Sequence, residues 1–187
     1  MNNIVDAYVY FYHTGNFIVL PTMPESVTDT LQANYQPTSL LSRSAPIFTY
    51  SNSGPRTISV TLNLHREMVN DLNYGVSNFN IEIGDDYIDT LVKQIQAIAL
   101  PRYDSNTKLV DPPIIALRFG NEIFIKGIVS GGISISYSGP ILSDRKYAVI
   151  DITFTVSEID PIDATTIQNV GSFRPVPRTL ERRIYKS

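Results

Sequence analysis

The fold is decided by residues 45–65, which read APIFTYSNSGPRTISVTLNLH. After position 57 apolar and polar residues alternate without a break, and the apolar positions are Ile58, Val60, Leu62 and Leu64. A period of two predicts a β-strand with one buried face. The polar row of Thr, Ser and Asn suits a sheet face that also meets another subunit. Extended residues on both sides of residues 52–55 predict a hairpin with its turn at those four positions.

The remaining strands are predicted from similar patterns and from the turn residues between them. They are residues 4–12 and 16–20, which form a first hairpin; 114–119 and 122–129, joined by Gly120-Asn121; 133–137, after a bulge at 130–132; and 147–156. A short strand at 79–83 also fits the pattern, and residues 138–146 are predicted to be a connection. The chain is therefore predicted to be mainly β.

One segment, residues 85–100, predicts an amphipathic helix. Its apolar residues recur at spacings of three and four, and they are Ile88, Leu91, Val92, Ile95, Ile98 and Ala99. Asp85 or Asp86 is the expected N-cap, Asp89 lies in the first turn, and Pro101 ends the helix. A single amphipathic helix in a strand-rich chain must pack on a sheet or close the end of a barrel.

Residues 25–44 form a polar excursion that predicts contacts outside the domain. Residues 26–29 are compatible with the start of a short helix, whereas 33–44 indicate an extended edge strand or an ordered loop, since Pro37 argues against a central strand. We expect Tyr35, Leu40 and Leu41 to contact a partner.

The charge distribution separates the chain into an acidic body and a basic end. Residues 171–187 hold five basic residues against Glu181, although the whole chain has a net charge of −3. We therefore predict one β domain at 1–160 and an extended basic C-terminal arm at 161–187. The expected partner contacts of the arm are Arg174, Arg178, Arg182 and Arg183, which would pair with an acidic surface, such as another copy of the chain.

No residue pattern in the sequence predicts catalysis or a cofactor. The chain has no cysteine, which excludes disulfides and cysteine-containing zinc sites. His13 and His65 are its only histidines and stand alone, so no metal site is predicted, and Asp85, Asp86 and Asp89 are explained by helix capping. No apolar run approaches the ~20 residues needed to cross a bilayer. We therefore expect a protein that is not an enzyme, has no cofactor and does not insert into membranes.

Taken in order, several short motifs resemble those of a known family. They are Pro24-Glu25-Ser26, Ser44-Ala45-Pro46 before the long alternating strand, the helix at 85–100, Asp111-Pro112-Pro113, Phe119-Gly120, Phe124-Ile125-Lys126-Gly127 and Ser134-Ile135-Ser136-Tyr137. Over residues 4–160 the chain resembles the tail-tube-like proteins of contractile phage tails and related injection systems. Its nearest likeness is to the baseplate hub proteins that cap or initiate the inner tube.

The resemblance implies a tail-tube-like β-sandwich or barrel of two antiparallel sheets with one packed helix. It also implies a virion structural protein that forms a ring, usually hexameric, at the baseplate hub. Its implied partners are other copies, the adjacent tail tube and hub proteins, and DNA as transient cargo in the channel. Assembly in the host cytoplasm would precede incorporation into the tail. A basic arm stands where some hub proteins carry a peptidoglycan-binding module, which favours a tube-initiator or adaptor role.

Two other functions are compatible with the sequence. The chain could be the main tail tube protein, which shares this fold. It could also be a carbohydrate-binding β-sandwich of a receptor-binding apparatus, although the absence of tryptophan weighs against that function.

Overall fold

The computed structural model describes residues 7–12, 15, 17–41, 43–69, 86–103, 110–120, 122–160 and 163–165. Within them the strands are β1 Ala7–Phe11, β2 Phe17–Val19, β3 Ser26–Thr30, β4 Ala33–Thr38, β5 Ile47–Ser53, β6 Thr57–His65, β7 Arg102–Tyr103, β8 Val110–Asp111, β9 Ile114–Phe119, β10 Ile123–Ile141 and β11 Tyr147–Glu158. The helices are α1 Arg66–Val69 and α2 Tyr87–Ala97.

Seven strands form one antiparallel sheet in the order β2-β1-β9-β10-β11-β6-β3. The pairs β4-β5 and β7-β8 form two further, two-stranded sheets. In the part of the chain that the structure describes, β2 and β3 are the edges of the large sheet, which does not close into a barrel. The predicted class, mainly β with antiparallel sheets and one packed amphipathic helix, is confirmed.

The hydrophobic core lies between helix α2 and one face of the large sheet. On β6 the four apolar residues predicted from the alternation are wholly buried, and so are Ile150, Ile152 and Val156 of the paired strand β11. The helix contributes Ile88, Leu91 and Ile95 to the same core. Burying each such side chain stabilises the fold by about 1.5–3 kcal/mol. The predicted buried face and the predicted helix stripe are both confirmed, apart from the partly buried Ala99.

The helix begins where the sequence predicts a cap. The carboxylate of Asp86 accepts hydrogen bonds from the backbone N–H groups of Ile88, at 3.0 Å, and Asp89, at 3.4 Å. These contacts satisfy donors that have no partner inside the helix. The last turn closes at Ile98, whose N–H donates to the carbonyl of Ile95, three residues before Pro101.

The prediction of a hairpin with its turn at residues 52–55 is wrong. Strand β5 pairs with β4, with Tyr35 opposite Tyr50, and β6 pairs with β3 and β11. Residues 54–56 therefore join two collinear strands instead of reversing the chain. The true reversal lies between β4 and β5. The prediction failed because Asn, Ser, Gly and Pro in a row favour a turn. Here these residues interrupt two collinear strands of one long ribbon and do not reverse the chain.

That ribbon consists of two antiparallel chain segments, β3 followed by β4 and β5 followed by β6. Thr30 lies opposite Thr57 at the edge of the large sheet, and Ala33 lies opposite Ser53 just beyond it. Between these pairs the N–H of Gly54 donates to the carbonyl of Gln32 at 2.9 Å. The hydrogen-bonded ladder thus continues from the large sheet into β4 and β5.

Two other local predictions also need correction. Residues 26–29 are not the start of a helix but belong to β3, because pairing with β6 outweighs their capping pattern. Residues 138–141 are not part of a connection, since β10 extends to Ile141 and a register shift absorbs Gly139-Pro140. The predicted bulge at residues 130–132 is confirmed by a register shift there, and Gly131 and Gly132 both have positive φ.

Several predictions lie outside the described residues: the strand at 79–83, the alternative cap Asp85 and most of the C-terminal arm. In the described residues, no helix has the length and apolar character that crossing a membrane requires.

Candidate assembly interface

We call β4, β5 and their connection the projecting hairpin. Every residue of both strands is exposed, in contrast to the strands of the core. Six residues of β4 correspond to a length of about 20 Å beyond the sheet edge. A two-stranded hairpin without a buried face is at best marginally stable in water. No described residue therefore forms a layer that covers the two strands of the hairpin.

One face of the projecting hairpin is aromatic. Tyr35 pairs with Tyr50, and Pro37 pairs with Phe48, so the four side chains share a face. The Tyr35 and Tyr50 rings pack edge to face with centroids 5.6 Å apart. Both tyrosines and Phe48 are more than half exposed. Exposed and contiguous apolar residues of this kind mark an interaction surface.

The base of the hairpin is held by a charged contact. Arg56 donates from Nε and Nη2 to the carboxylate of Asp29, at 2.5–3.0 Å, and its Nη1 lies 3.8 Å from Glu158. The hydrogen bond with Asp29 raises the pKa of Arg56, against the effect of its partial burial. This contact ties β3 to the start of β6 and the end of β11. The hairpin thus extends from a fixed base.

A second surface, the hydroxyl face, covers the side of β3, β6, β11 and β10 that points away from the core. It includes Ser26, Thr28, Thr30, Thr57, Ser59, Thr61, Asn63, Ser130, Ser134, Ser136, Asp151, Thr153, Thr155 and Ser157, which the strand register places on one side. The same alternation places His65, Lys126 and Ile128 on this side. None of these residues is buried. The ionisable residues among them are His65, Lys126 and Asp151.

Hydrogen bonds between strands order the hydroxyl face. Ser59 and Thr155 share a hydrogen bond of 2.9 Å, and the amide of Asn63 donates to Asp151 at 2.7 Å. The Ser157 hydroxyl donates to that of Ser130 at 2.9 Å. These side chains bond to one another across the strands, and Lys126 of the same face pairs with Asp160 at 3.7 Å, which leaves a mostly uncharged polar surface.

A charged cluster fixes the N-terminus of α2 against the turn between β10 and β11. The buried guanidinium of Arg66 donates to Asp86, and also to Asp89 at 3.0 Å and to the carbonyl of Tyr147 at 3.1 Å. Lys146 donates to Asp86 at 2.9 Å and to Asp89 at 2.6 Å. Each carboxylate therefore has two cationic partners.

The cluster shifts the pKa of two of its members. Burial raises the pKa of Asp86, but the hydrogen bond from Lys146 and the charges of Arg66 and Lys146 outweigh it, so this pKa lies below its ordinary value. Hydrogen bonds with Asp89 and Asp86 raise the pKa of Lys146. Both shifts favour the charged forms. The cluster is fully explained by helix capping and ion pairing.

The predicted partner residues fall into two groups. Tyr35, Leu40 and Leu41 lie on the projecting hairpin and are all exposed, Leu41 completely. Arg174, Arg178, Arg182 and Arg183 lie outside the described residues. The sequence analysis did not single out Phe48 and Tyr50, because it placed them in a hairpin with residues 57–65 and not in the segment expected to meet partners. A sequence pattern could have identified them. Tyr35-Gln-Pro and Phe48-Thr-Tyr each place one polar residue between two apolar or aromatic residues, so the two segments can face each other on antiparallel strands.

The described residues form no metal-binding set. They contain no group of three or more His, Cys, Asp or Glu side chains arranged to hold a metal ion. His65 is exposed at the end of β6, and His13 lies outside the description.

No protein-family model matches the chain, and no curated protein matches it. Among solved structures the chain is similar to one from the tail of an empty gene transfer agent particle with C6 symmetry, with 13% identity and a TM-score of 0.42, covering 86% of this chain and 96% of that one. It is also similar to a chain from the virion of a native gene transfer agent particle, with 12% identity and a TM-score of 0.38, covering 83% and 94%. At these values the similarity supports no conclusion about function.

Proposed function

We propose that this chain is a structural protein of a contractile phage tail and is not an enzyme. It would form a ring at the baseplate hub, where it initiates or caps the inner tail tube and connects it to the hub. The observation that carries the proposal is the projecting hairpin, whose aromatic face has no covering layer. Residues 4–160 resemble tail-tube-like proteins, which assemble into rings, and in such a ring other subunits would cover the hairpin.

Ring formation would use the edges of the large sheet. Strand β3 is an exposed edge strand of five residues that pairs with β6 on one side only among the described strands. An exposed edge presents unpaired backbone groups that a second chain can bind. Repetition of one heterologous contact closes a ring when its rotation allows. The C-terminal arm, through Arg174, Arg178, Arg182 and Arg183, would reach acidic groups of a neighbouring ring or hub protein.

The hydroxyl face is suited to line the channel of such a ring. Proteins hold DNA mainly by placing Lys and Arg against its phosphates, and among the residues named on this face only Lys126 is of this kind and it pairs with Asp160. The hydroxyl groups are partly engaged with one another, and the charge of Asp151 repels phosphate. DNA would therefore pass as transient cargo without being retained. The proposed location is the virion, after assembly in the host cytoplasm.

The carbohydrate-binding alternative has one observation in its favour. Exposed aromatic side chains on one sheet face are a common platform for stacking of ligand rings, and Tyr35, Phe48 and Tyr50 form such a face. That function needs no oligomer. Glycan-array binding by a monomeric form of the protein would support it over the tail function.

Negative-stain imaging of the purified protein tests the proposed function. We expect rings with a central hole and, at higher concentration, short stacks of rings. A chain truncated after residue 170 should keep its melting temperature and still form rings, but should stack less, because the arm is proposed to contact the adjacent ring. A monomer at every accessible concentration would contradict the function. A much lower melting temperature of the truncated chain would contradict the role of the arm.

A further inference from the structure

A second exposed apolar surface lies at the far end of the large sheet from the projecting hairpin. We call Tyr137, Ile141 and Tyr147 the tyrosine patch. Ile141 is directly opposite Tyr147 where β10 and β11 end, and the two tyrosine rings lie 6.0 Å apart. All three side chains are exposed. The patch is therefore a compact apolar surface with no covering residues in the described chain.

The strand register fixes where this patch lies relative to the projecting hairpin. Thr57, at the start of β6, is opposite Thr30 beside the hairpin, whereas His65, at its end, is opposite Val149, two residues from Tyr147. The nine residues of β6 separate these ends by about 30 Å. One copy thus carries two different apolar surfaces at opposite ends of one rigid sheet.

We propose that the aromatic face of the projecting hairpin binds the tyrosine patch of another copy of this chain. The inference rests on the proposed function in that it takes the partner to be a second copy. The two surfaces are matched in chemistry, since both combine two tyrosine rings with apolar side chains: Pro37 and Phe48 on the hairpin, Ile141 on the patch. Arg43 is the one charged residue between positions 33 and 53, so little charge must lose its water when the hairpin is covered.

Each surface has a fixed position in the fold. The hairpin is anchored at its base by Arg56 and Asp29. The backbone of Tyr147 accepts a hydrogen bond from Arg66, which also holds the cap of helix α2. A partner would therefore meet surfaces that are ordered in advance, which lowers the entropic cost of association.

In a ring the contact has a direction, unlike in a two-fold dimer, where each hairpin would cover the patch of the other copy. When the hairpin of one copy covers the patch of the next, the first copy keeps a free patch and the second keeps a free hairpin. Such a heterologous contact continues from copy to copy. The hairpin offers on the order of 300 Å² from its three exposed rings, less than the roughly 800 Å² per partner of a stable pair. One contact alone is therefore weak, and contacts repeated around a ring would act together.

Disulfide trapping tests this contact, because the natural chain contains no cysteine. The double variant Phe48→Cys/Ile141→Cys should form a ladder of disulfide-linked multimers on oxidation. The single variants should form no ladder. The matched control is Phe48→Cys/Glu122→Cys, since Glu122 is exposed in the turn between β9 and β10, away from the patch. A persistent contact should raise the cross-linked fraction at least about tenfold over this control.

The outcomes separate this inference from the proposed function. A ladder restricted to the 48/141 pair supports the contact. An equal ladder in the control, or efficient dimerisation of Phe48→Cys alone through hairpin-to-hairpin pairing, overturns it. Rings of the unmodified protein without 48/141 cross-linking would overturn the contact and leave the proposed function standing. A persistently monomeric unmodified protein would overturn both.

Discussion

Strands β5 and β6 follow one another along a single extended run but have opposite environments. On β6 every second residue is wholly buried, whereas on β5 all seven residues are exposed. Both strands contain β-branched residues and both have a hydrogen-bonded partner. The difference lies in what covers them: β6 packs under helix α2, whereas no described residue forms a layer over β5.

This contrast shows that strand formation and burial are separate properties. Local pattern and pairing make both segments extended. Burial, and with it most of the stability, comes from a layer contributed by distant residues. We therefore expect the free energy of unfolding to depend on the core half of the run, and assembly to depend on the hairpin half.

The largest difference in stability is expected between two matched substitutions by alanine, one on each strand. Leu62→Ala removes a wholly buried side chain and should lower the free energy of unfolding by about 3–5 kcal/mol, because it leaves a cavity. Phe48→Ala should change it by less than about 0.5 kcal/mol in the unassembled protein. Urea denaturation monitored by circular dichroism measures both. Equal destabilisation would mean that the hairpin is packed against the body in solution.

A smaller effect is expected from replacing two glycines by alanine, one in strand β10 of the large sheet and one at the base of the projecting hairpin. A Cβ on Gly127 would lie 2.1 Å from the backbone oxygen of Ser157, so Gly127→Ala should cost at least about 1–3 kcal/mol through displacement of β11. Gly54, at the base of the hairpin, has Gln32 at 3.5 Å as its nearest neighbour, and neither glycine has positive φ. Gly54→Ala should therefore change stability by less than about 0.5 kcal/mol. Thermal unfolding of the two variants compares them directly, and the reverse order would contradict the register of β10.

The smallest effect concerns the cap of α2 and is dependent on pH. The pKa of Asp86 in the folded protein lies below its ordinary value of 3.8. Its contribution to stability is therefore present above that value and is lost as the pH falls through the folded-state pKa. Asp86→Asn should reduce the free energy of unfolding by about 1–2 kcal/mol at pH 7, because it removes a charge partner of Arg66 and Lys146. Below pH 3.8 the difference should shrink.

Urea denaturation at pH 7 and at pH 3 checks this expectation. The control is Asp160→Asn, whose carboxylate is half-exposed and lies 3.7 Å from Lys126. That substitution should have little effect at either pH, because exposed ion pairs contribute about 0–1 kcal/mol. A constant difference between Asp86→Asn and the natural protein at both pH values would contradict the assigned role.

Much of the fold could be predicted because its patterns are local. The period of two over residues 57–65, the helix stripe from Ile88 to Ile98 and the Gly120 turn each fix conformation within a few residues. The core of the large sheet followed from them. The candidate interface was predicted only in part: Tyr35, Leu40 and Leu41 were placed in a segment expected to meet partners, but Phe48 and Tyr50 were not singled out, because their strand was predicted to pair with β6.

By itself the sequence determined most of the extended segments, the helix α2 and which side of β6 is buried, because neighbouring residues set backbone preference and side-chain periodicity. Only the tertiary structure decided that β5 pairs with β4 and extends beyond the sheet. Strand pairing depends on residues far apart in the chain, and a row of Asn, Ser, Gly and Pro fits a break between collinear strands as well as a turn. The tertiary structure likewise placed the hairpin and the tyrosine patch at opposite ends of one sheet, because that separation follows from the register of β3, β6 and β11.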